Sequence, residues 1–348
     1  MPQLEHVTAQ VDRLTAFDAG PFPLISLYLN LQANERGRDS FESFLRKELT
    51  DRLRTYPAHG PERESLEKDA AKIRDYVANI DSSLNGLAIF ACAGADLFEA
   101  VRLAAPIDAH RMHIARTAHL YPLVRLLDEY PRYVALLSDT HSARIFVFAL
   151  NTLQRSATVE NQKVKHHKQG GWAQARFQRH VENYHLRHAK EVVDSVARIV
   201  REERIDRVIV AADEVILPLL QEHYPKDLAE RIVDVVTLDV HAPERQVLET
   251  TLAALHEKDA ATDRGRVDAL LGVYRAGGLA CVGAEQVRAA FELGRVDELV
   301  LTAAPADERV WDELLGQARR TAARIRFIED AALLQRVGGV GAFLRFAV

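Results

Sequence analysis

The residues best equipped to act on a partner lie together between Lys163 and Lys190, in the run K-V-K-H-H-K-Q-G-G-W-A-Q-A-R-F-Q-R-H-V-E-N-Y-H-L-R-H-A-K. Lys163, Lys165, His166, His167 and Lys168 lead into Gly170-Gly171, and Trp172 follows at once. Adjacent glycines let the backbone take dihedrals closed to other residues and bring it close to a partner without Cβ atoms in the way. Trp172 adds a broad stacking surface. The 348-residue chain carries a formal charge of -5, yet Glu182 is the one carboxylate from 163 to 190. A basic prominence on a mildly acidic protein suits a polyanion such as RNA, with Arg176 and Arg179 extending the positive surface. The plainer reading is a solvated helix face that begins after a glycine turn.

A helix must carry this tract. Phe177, Val181, Tyr184, Ala189, Val192, Val196 and Ile199 recur at near-helical spacing and predict one buried face running to about Glu203, with Arg187 and Lys190 left in solvent. Ahead of the tract, three strand-like runs, 133–138, 143–150 and 152–159, have hairpin spacing and predict an antiparallel meander. After it come a strand at 207–211, a helix at 213–222 and a strand at 233–238, an α/β layer. The N-terminal part reads as a strand at 24–31, a helical hairpin at 40–54 and 62–79, and paired strands at 86–93 and 97–104, while a helix at 122–129 opens the middle part ahead of the meander. From 243 a long helix reaches about 274, weakened around 262–265. Strands at 279–282, 298–302, 324–327 and 343–346 then alternate with helices at 284–293, 308–322 and 330–336. The chain is expected to be α/β (α+β) in three domains, 1–120, 121–241 and 242–348, the last an α/β/α sandwich.

Composition narrows the classes. Apolar residues make up 48% and charged residues 27%, as in a folded globular protein. No run of 18 or more apolar residues marks a membrane span, and the start of the chain lacks the basic-then-apolar pattern of a secretory signal. Cys92 and Cys281 sit in apolar strand-like runs and read as buried free thiols, which suits a reducing cytoplasm. No CxxC or HExxH pattern argues for a metal, and no cofactor is implied. His185 and His188 are three apart on one helix face beyond His180, but no carboxylate or thiol completes a shell in sequence. Asp206, Asp213 and Asp239, near strand ends, are imaginable as a nuclease cluster, although turn and cap roles are the commoner use. Gly277-Gly278 and the run 338–341 lack the Walker and dinucleotide patterns and read as tight turns.

The Gly-Gly pair, the A-R-F-Q-R that follows, the long helix and R-V-I-V-A-A resemble the middle domain of the archaeal and eukaryotic class-I peptide chain release factors. In that family a Gly-Gly-Gln loop precedes an Arg-Phe pair at the same spacing. S-L-Y-L-N-L with its helical hairpin and N-G-L-A-I-F are similar to the family's N-terminal domain. A-A-F-E-L-G-R-V-D-E-L-V-L-T and V-G-G-V-G-A-F-L-R-F resemble its C-terminal domain, shared with Pelota and with kink-turn-binding ribosomal proteins. The chain is thereby identified as a bacterial member of a superfamily that also includes the hibernation factor Balon. The resemblance implies a ribonuclease H-like middle domain, a cytoplasmic protein and ribosomal RNA in the A site as partner. Peptidyl-tRNA and a translational GTPase such as elongation factor Tu are further partners it implies.

Three departures shape the functional expectation. Trp172 stands where the family has its catalytic glutamine, and the nearest glutamine beyond is Gln174. The stretch Y-P-A-H-G-P-E-R-E-S-L lacks the family's stop-codon-reading motif. The chain passes from Thr302 to the helix near Trp311 without room for the family's inserted subdomain. Codon-independent occupation of idle or stalled ribosomes follows, with Gly170, Gly171 and Trp172 aimed at the peptidyl transferase centre. The alternative is a rescue hydrolase in which Gly170 and Gly171 shape the loop and Gln174 places water, and a third reading is an RNA nuclease.

Overall fold

A computed structural model describes residues 3–32, 41–80, 84–160, 172–305 and 307–347, with the side chains of residue 3 and residues 172–180 left aside. The chain divides into two compact units, one of residues 1–129 with 262–348 and the other of residues 130–261.

The first unit opens with α1 (Gln3–Ala16), β1 (Leu24–Asn30), α2 (Phe41–Arg54), α3 (Pro61–Ala78), β2 (Gly86–Cys92), β3 (Leu97–Leu103), β4 (Arg111–Ala115) and α4 (Tyr121–Glu129). The strands form an antiparallel sheet in the order β3-β2-β1-β4. Alternation in β1 sorts its side chains. Ile25, Leu27 and Leu29 join Leu45 and Leu49 of α2 and Leu66, Ala70 and Ile73 of α3 in one core. Ser26 and Tyr28 therefore face the other side, as do Arg111 and His113 of β4, whose Met112 packs with the core. The strand β4 is absent from the sequence reading because R-M-H-I-A is short and carries only two large apolar residues.

The β2–β3 connection is a 3-10 turn at Ala93–Ala95, fixed from α3. Asp69 Oδ2 accepts from Ala93 N at 3.0 Å and Ser65 Oγ accepts from Gly94 N at 2.8 Å. A Cβ on Gly94 would lie 2.3 Å from the Phe22 ring, so only glycine fits there. Burial pushes the Asp69 carboxyl up to about 6, against the pull of that backbone bond.

The second unit contains β5 (Tyr133–Ser138), β6 (Ser142–Ala149), β7 (Thr152–Glu160), α5 (Trp172–Glu202), β8 (Val208–Ala212), α6 (Ile216–His223), α7 (Lys226–Ala229), β9 (Ile232–Val236) and the first part of α8 (Glu244–Arg275). The sheet order is β7-β6-β5-β8-β9. Only β6 runs against the other four, because β5 pairs antiparallel with β6 and parallel with β8, and β8 pairs parallel with β9. This is the ribonuclease H-like order, and the expected meander is its first half. Val134, Leu136, Ile145, Val147, Val208 and Val210 pack under α5 and α6. On the opposite face Tyr133, Ala135, Leu137, Phe148, Ile209 and Ala211 meet Val247, Ala254 and Leu255 of α8.

Returning to the first unit, α8 continues without a break through 262–265, since its weak helix formers are outweighed by Val267 and Leu270 reaching the core. There follow β10 (Ala280–Val282), α9 (Ala284–Glu292), β11 (Val296–Thr302), α10 (Glu308–Arg320), β12 (Arg324–Ile328) and β13 (Val340–Leu344). The mixed sheet runs β10-β13-β11-β12, with β13 running against the other three. The helix expected at 330–336 is a pair of 3-10 turns, Ala331–Leu333 and Gln335–Val337. The Asp330 cap on Ala332 N at 3.1 Å and the left-handed Gly338 and Gly339 leave length for single turns only. The last strand begins at Val340 rather than 343, so Gly341 is a strand residue. A Cβ on it would sit 2.7 Å from Leu270 Cδ2. Cys92 and Cys281 are both buried free thiols, and burial pushes Cys281 up to about 11.

Candidate functional site

The helix α5 starts at Trp172, as the sequence predicts, and the matching apolar face is buried from Tyr184 onward. Trp172, Gln174, Arg176 and Arg179 occupy its first two turns as backbone positions, and helical spacing sets 172, 176 and 179 along one stripe. Lys163, Lys165, His166, His167, Lys168, Gly170 and Gly171 lie outside the described residues.

Below this start, α5 is tied to the β5–β6 turn. His188 is fully buried, and burial holds its imidazole below the usual range while backbone bonds at Ser142 and Asp139 pull the other way. Asp139 shapes that turn. Its Oδ1 accepts from His141 N and Ser142 N, each at 2.7 Å, and these bonds lower its carboxyl against the opposing effect of burial. His141, Tyr184 and His185 gather beside it, with ring centroids 6.2 Å apart for His141–Tyr184 and 6.4 Å for His141–His185. Burial and the neighbouring His141 lower His185. The Arg187 guanidinium stands 5.9 Å from the Tyr184 ring centre and is exposed. His185 and His188 thus serve different surroundings, one facing a polar cluster and one inside the core, and they do not converge on one point.

The three aspartates near strand ends hold turns and pairs. Asp213 Oδ1 accepts from Val215 N at 2.9 Å and Ile216 N at 2.8 Å at the start of α6. Asp239 Oδ1 accepts from His241 N at 2.7 Å, and Asp206 pairs with Arg231 at 3.4 Å. No nuclease-like metal cluster forms from them among the described residues.

Residues 119–256 match the family described as bacterial archaeo-eukaryotic release factor family 10. Over that segment the chain is similar to that family. It contains β5 to β9, the Gly170-Gly171-Trp172 stretch and all of α5. An uncharacterized protein of Bacillus subtilis, YocB, is 24% identical over 224 residues, spanning 61% of this chain and 86% of that protein. A structure of ribosome-bound archaeal Pelota with ABCE1 overlays with a TM-score of 0.46 and 12% identity, across 98% of this chain and 94% of that one. Dom34 of S. cerevisiae, described as a translation termination-like factor interacting with Hbs1, overlays at 0.45 with 11% identity over 72% and 73%.

A second constellation, invisible to the sequence reading, lies in the first unit. His113 on β4, His119 just ahead of α4, and Glu308 and Asp312 on α10 come together there. Glu308 and Asp312 are one helical turn apart and share a face. Asp312 Oδ1 accepts from Leu120 N at 2.9 Å and Tyr121 N at 2.8 Å, which satisfies the start of α4, while its Oδ2 meets His119 Nδ1. The His119 backbone is gripped as firmly. Its N–H donates to Ser26 Oγ at 3.0 Å and its carbonyl accepts from Tyr28 Oη at 2.5 Å. The His113 ring lies 3.8 Å from that of His119, and burial, then the second imidazole, pushes His113 down to about 4. The one sequence signal was three histidines, His110, His113 and His119, within ten residues.

Proposed function

We propose that this protein is a ribosome-binding translation factor that occupies the A site without reading a codon, with Gly170, Gly171 and Trp172 directed at the peptidyl transferase centre. The observation that carries the reading is that the release-factor match brackets the glycine pair, Trp172 and the long helix behind them. Lys163, Lys165, Lys168, Arg176 and Arg179 would neutralise ribosomal RNA phosphates, and Trp172 would stack on a base for about 1–3 kcal/mol. A tryptophan in the place of the family's glutamine favours protection of idle or stalled ribosomes during stress over chemistry. The three-part organisation at 1–120, 121–241 and 242–348 belongs to this reading, as do cytoplasmic location and delivery by a translational GTPase such as elongation factor Tu.

The test is co-sedimentation of the full chain with 70S ribosomes, empty and carrying peptidyl-tRNA, over a salt series with peptide release scored in the same tubes. Binding to both without release, steeply weakened by salt, is expected. Absence of binding at low salt removes the assignment.

The retained glycine pair favours one second reading, a rescue factor that hydrolyses peptidyl-tRNA with Gln174 placing the water. Gln174→Ala separates the two, because only hydrolysis predicts lost release with binding preserved.

A further inference from the structure

We propose that His113, His119 and Glu308 form a binding site for a divalent transition-metal cation of the zinc class, with Asp312 orienting His119 from behind. This inference is independent of the ribosomal reading, since it rests on the first unit alone.

The donor set is of the right kind. Two imidazoles and one carboxylate are a recurrent shell for zinc and its neighbours in the first transition row. The three residues each bring one ligand atom to within 4.8 Å of the others. His119 Nε2 is 3.1 Å and His113 Nε2 is 3.9 Å from the same oxygen, Glu308 Oε2. Ligands of a tetrahedral ion at about 2.0–2.1 Å stand roughly 3.3 Å apart, so closing the shell from 4.8 Å takes at most about 1.5 Å shared between two side chains. The other oxygen, Glu308 Oε1, is held by Arg111 Nη1 at 3.0 Å, which fixes the carboxylate and leaves Oε2 directed at the imidazoles.

The second observation is at His119, which is 3% exposed. Its Nε2 is buried with no hydrogen-bond partner among the described residues. Glu308 Oε2 lies 3.1 Å from it without the alignment of a hydrogen bond. A buried polar nitrogen without a partner is costly and calls for an explanation. A cation supplies one. In the tautomer with its proton on Nδ1, His119 donates to Asp312 and leaves the Nε2 lone pair free, the carboxylate–histidine–metal arrangement that orients and strengthens an imidazole ligand. Glu308 and Asp312 against Arg111 give the immediate site a negative balance.

The site also has an entry path. A cavity of about 710 Å³ is lined by His113, His119, Glu308 and Asp312, and by Arg52 and Arg320. Those guanidiniums suit an anionic group as the ion's outer ligand. An ion bound here would link β4 and the α4 start to α10.

The experiment uses the full chain, stripped with a chelator and titrated with Co²⁺ as a coloured stand-in for zinc. The expected result is a single equivalent bound, with visible ligand-field bands and displacement by Zn²⁺. His113→Ala, at a half-exposed position that should leave the fold intact, should weaken binding at least tenfold, and Asp312→Asn should weaken it by roughly ten- to a hundredfold. Circular dichroism of each variant checks the fold. Glu308→Gln, which keeps shape and loses charge, serves if His113→Ala fails to fold. Absence of ligand-field bands in the wild type overturns the proposal, as does an affinity and spectrum unchanged in a folded His113→Ala or Glu308→Gln.

Discussion

The two constellations are built in opposite ways. The Gly170-Gly171-Trp172 stretch and α5 are contiguous, with chemistry spread along one segment and an apolar helix face that is buried from Tyr184 onward among the described residues. The histidine–carboxylate cluster draws on β4, the α4 start and α10, and both Asp312 oxygens, His119 Nδ1 and Glu308 Oε1 are each held by another group. A surface meant for a large flat polyanion needs charge and reach, which sequence can supply locally. A site for a small ion needs fixed distances, which only tertiary packing supplies. Substitutions in the first region should therefore change ribosome binding and spare stability, whereas removing Asp312 from the second should cost stability.

The largest effect expected is from Asp312→Ala. It removes the acceptor for Leu120 N, Tyr121 N and His119 together, and should cost about 3–5 kcal/mol in urea unfolding. A loss below about 1 kcal/mol would mean the cluster is not the rigid element described, since a single helix cap already accounts for that much. Next is Trp172→Ala, expected to weaken ribosome co-sedimentation by about 1–3 kcal/mol, on the order of tenfold or more, with an unchanged unfolding midpoint. Lost stability there would erase the contrast between the regions.

The pH dependence of stability gives a smaller, signed test. The Asp69 carboxyl is raised from 3.8 to about 6 by burial, so its ionised form is disfavoured in the folded state. Its contribution is fully present below 3.8 and is lost as pH rises through about 6. Asp69→Asn keeps an acceptor for Ala93 N and should flatten that part of the stability profile; an unaltered profile would show that the carboxyl titrates normally. The smallest effect is Lys165→Ala, which should reduce the salt slope of ribosome binding by somewhat under one if it meets a single phosphate.

Much of the architecture was legible because its signals are local. The alternation in L-I-S-L-Y-L-N, the 3.6-residue pattern from Tyr184 to Ile199 and the hairpin spacing of β5 to β7 each survive in the structure. What failed to show were features set by distant partners. The strand β4 exists because β1 offers it an edge, and α8 runs through 262–265 because Val267 and Leu270 have a core to reach. The turns at 331–337 replace a helix because Gly338 and Gly339 must take left-handed conformations before β13. His119 and Asp312 are separated by 193 positions, and neither is unusual in its own segment. His185 and His188, adjacent on the helix wheel, instead drew attention as a pair and prove to serve separate surroundings.

The most direct test of the central claim is where the glycine loop sits on the ribosome. Cys92 and Cys281 are 0% and 7% exposed, so Ala173→Cys adds a thiol next to Trp172 in the sequence to carry a tethered Fe-EDTA group while the native two stay buried. Hydroxyl radicals generated from that position on 70S complexes should cut ribosomal RNA at the peptidyl transferase centre. Cuts confined to other sites, from protein that still co-sediments, would contradict the account.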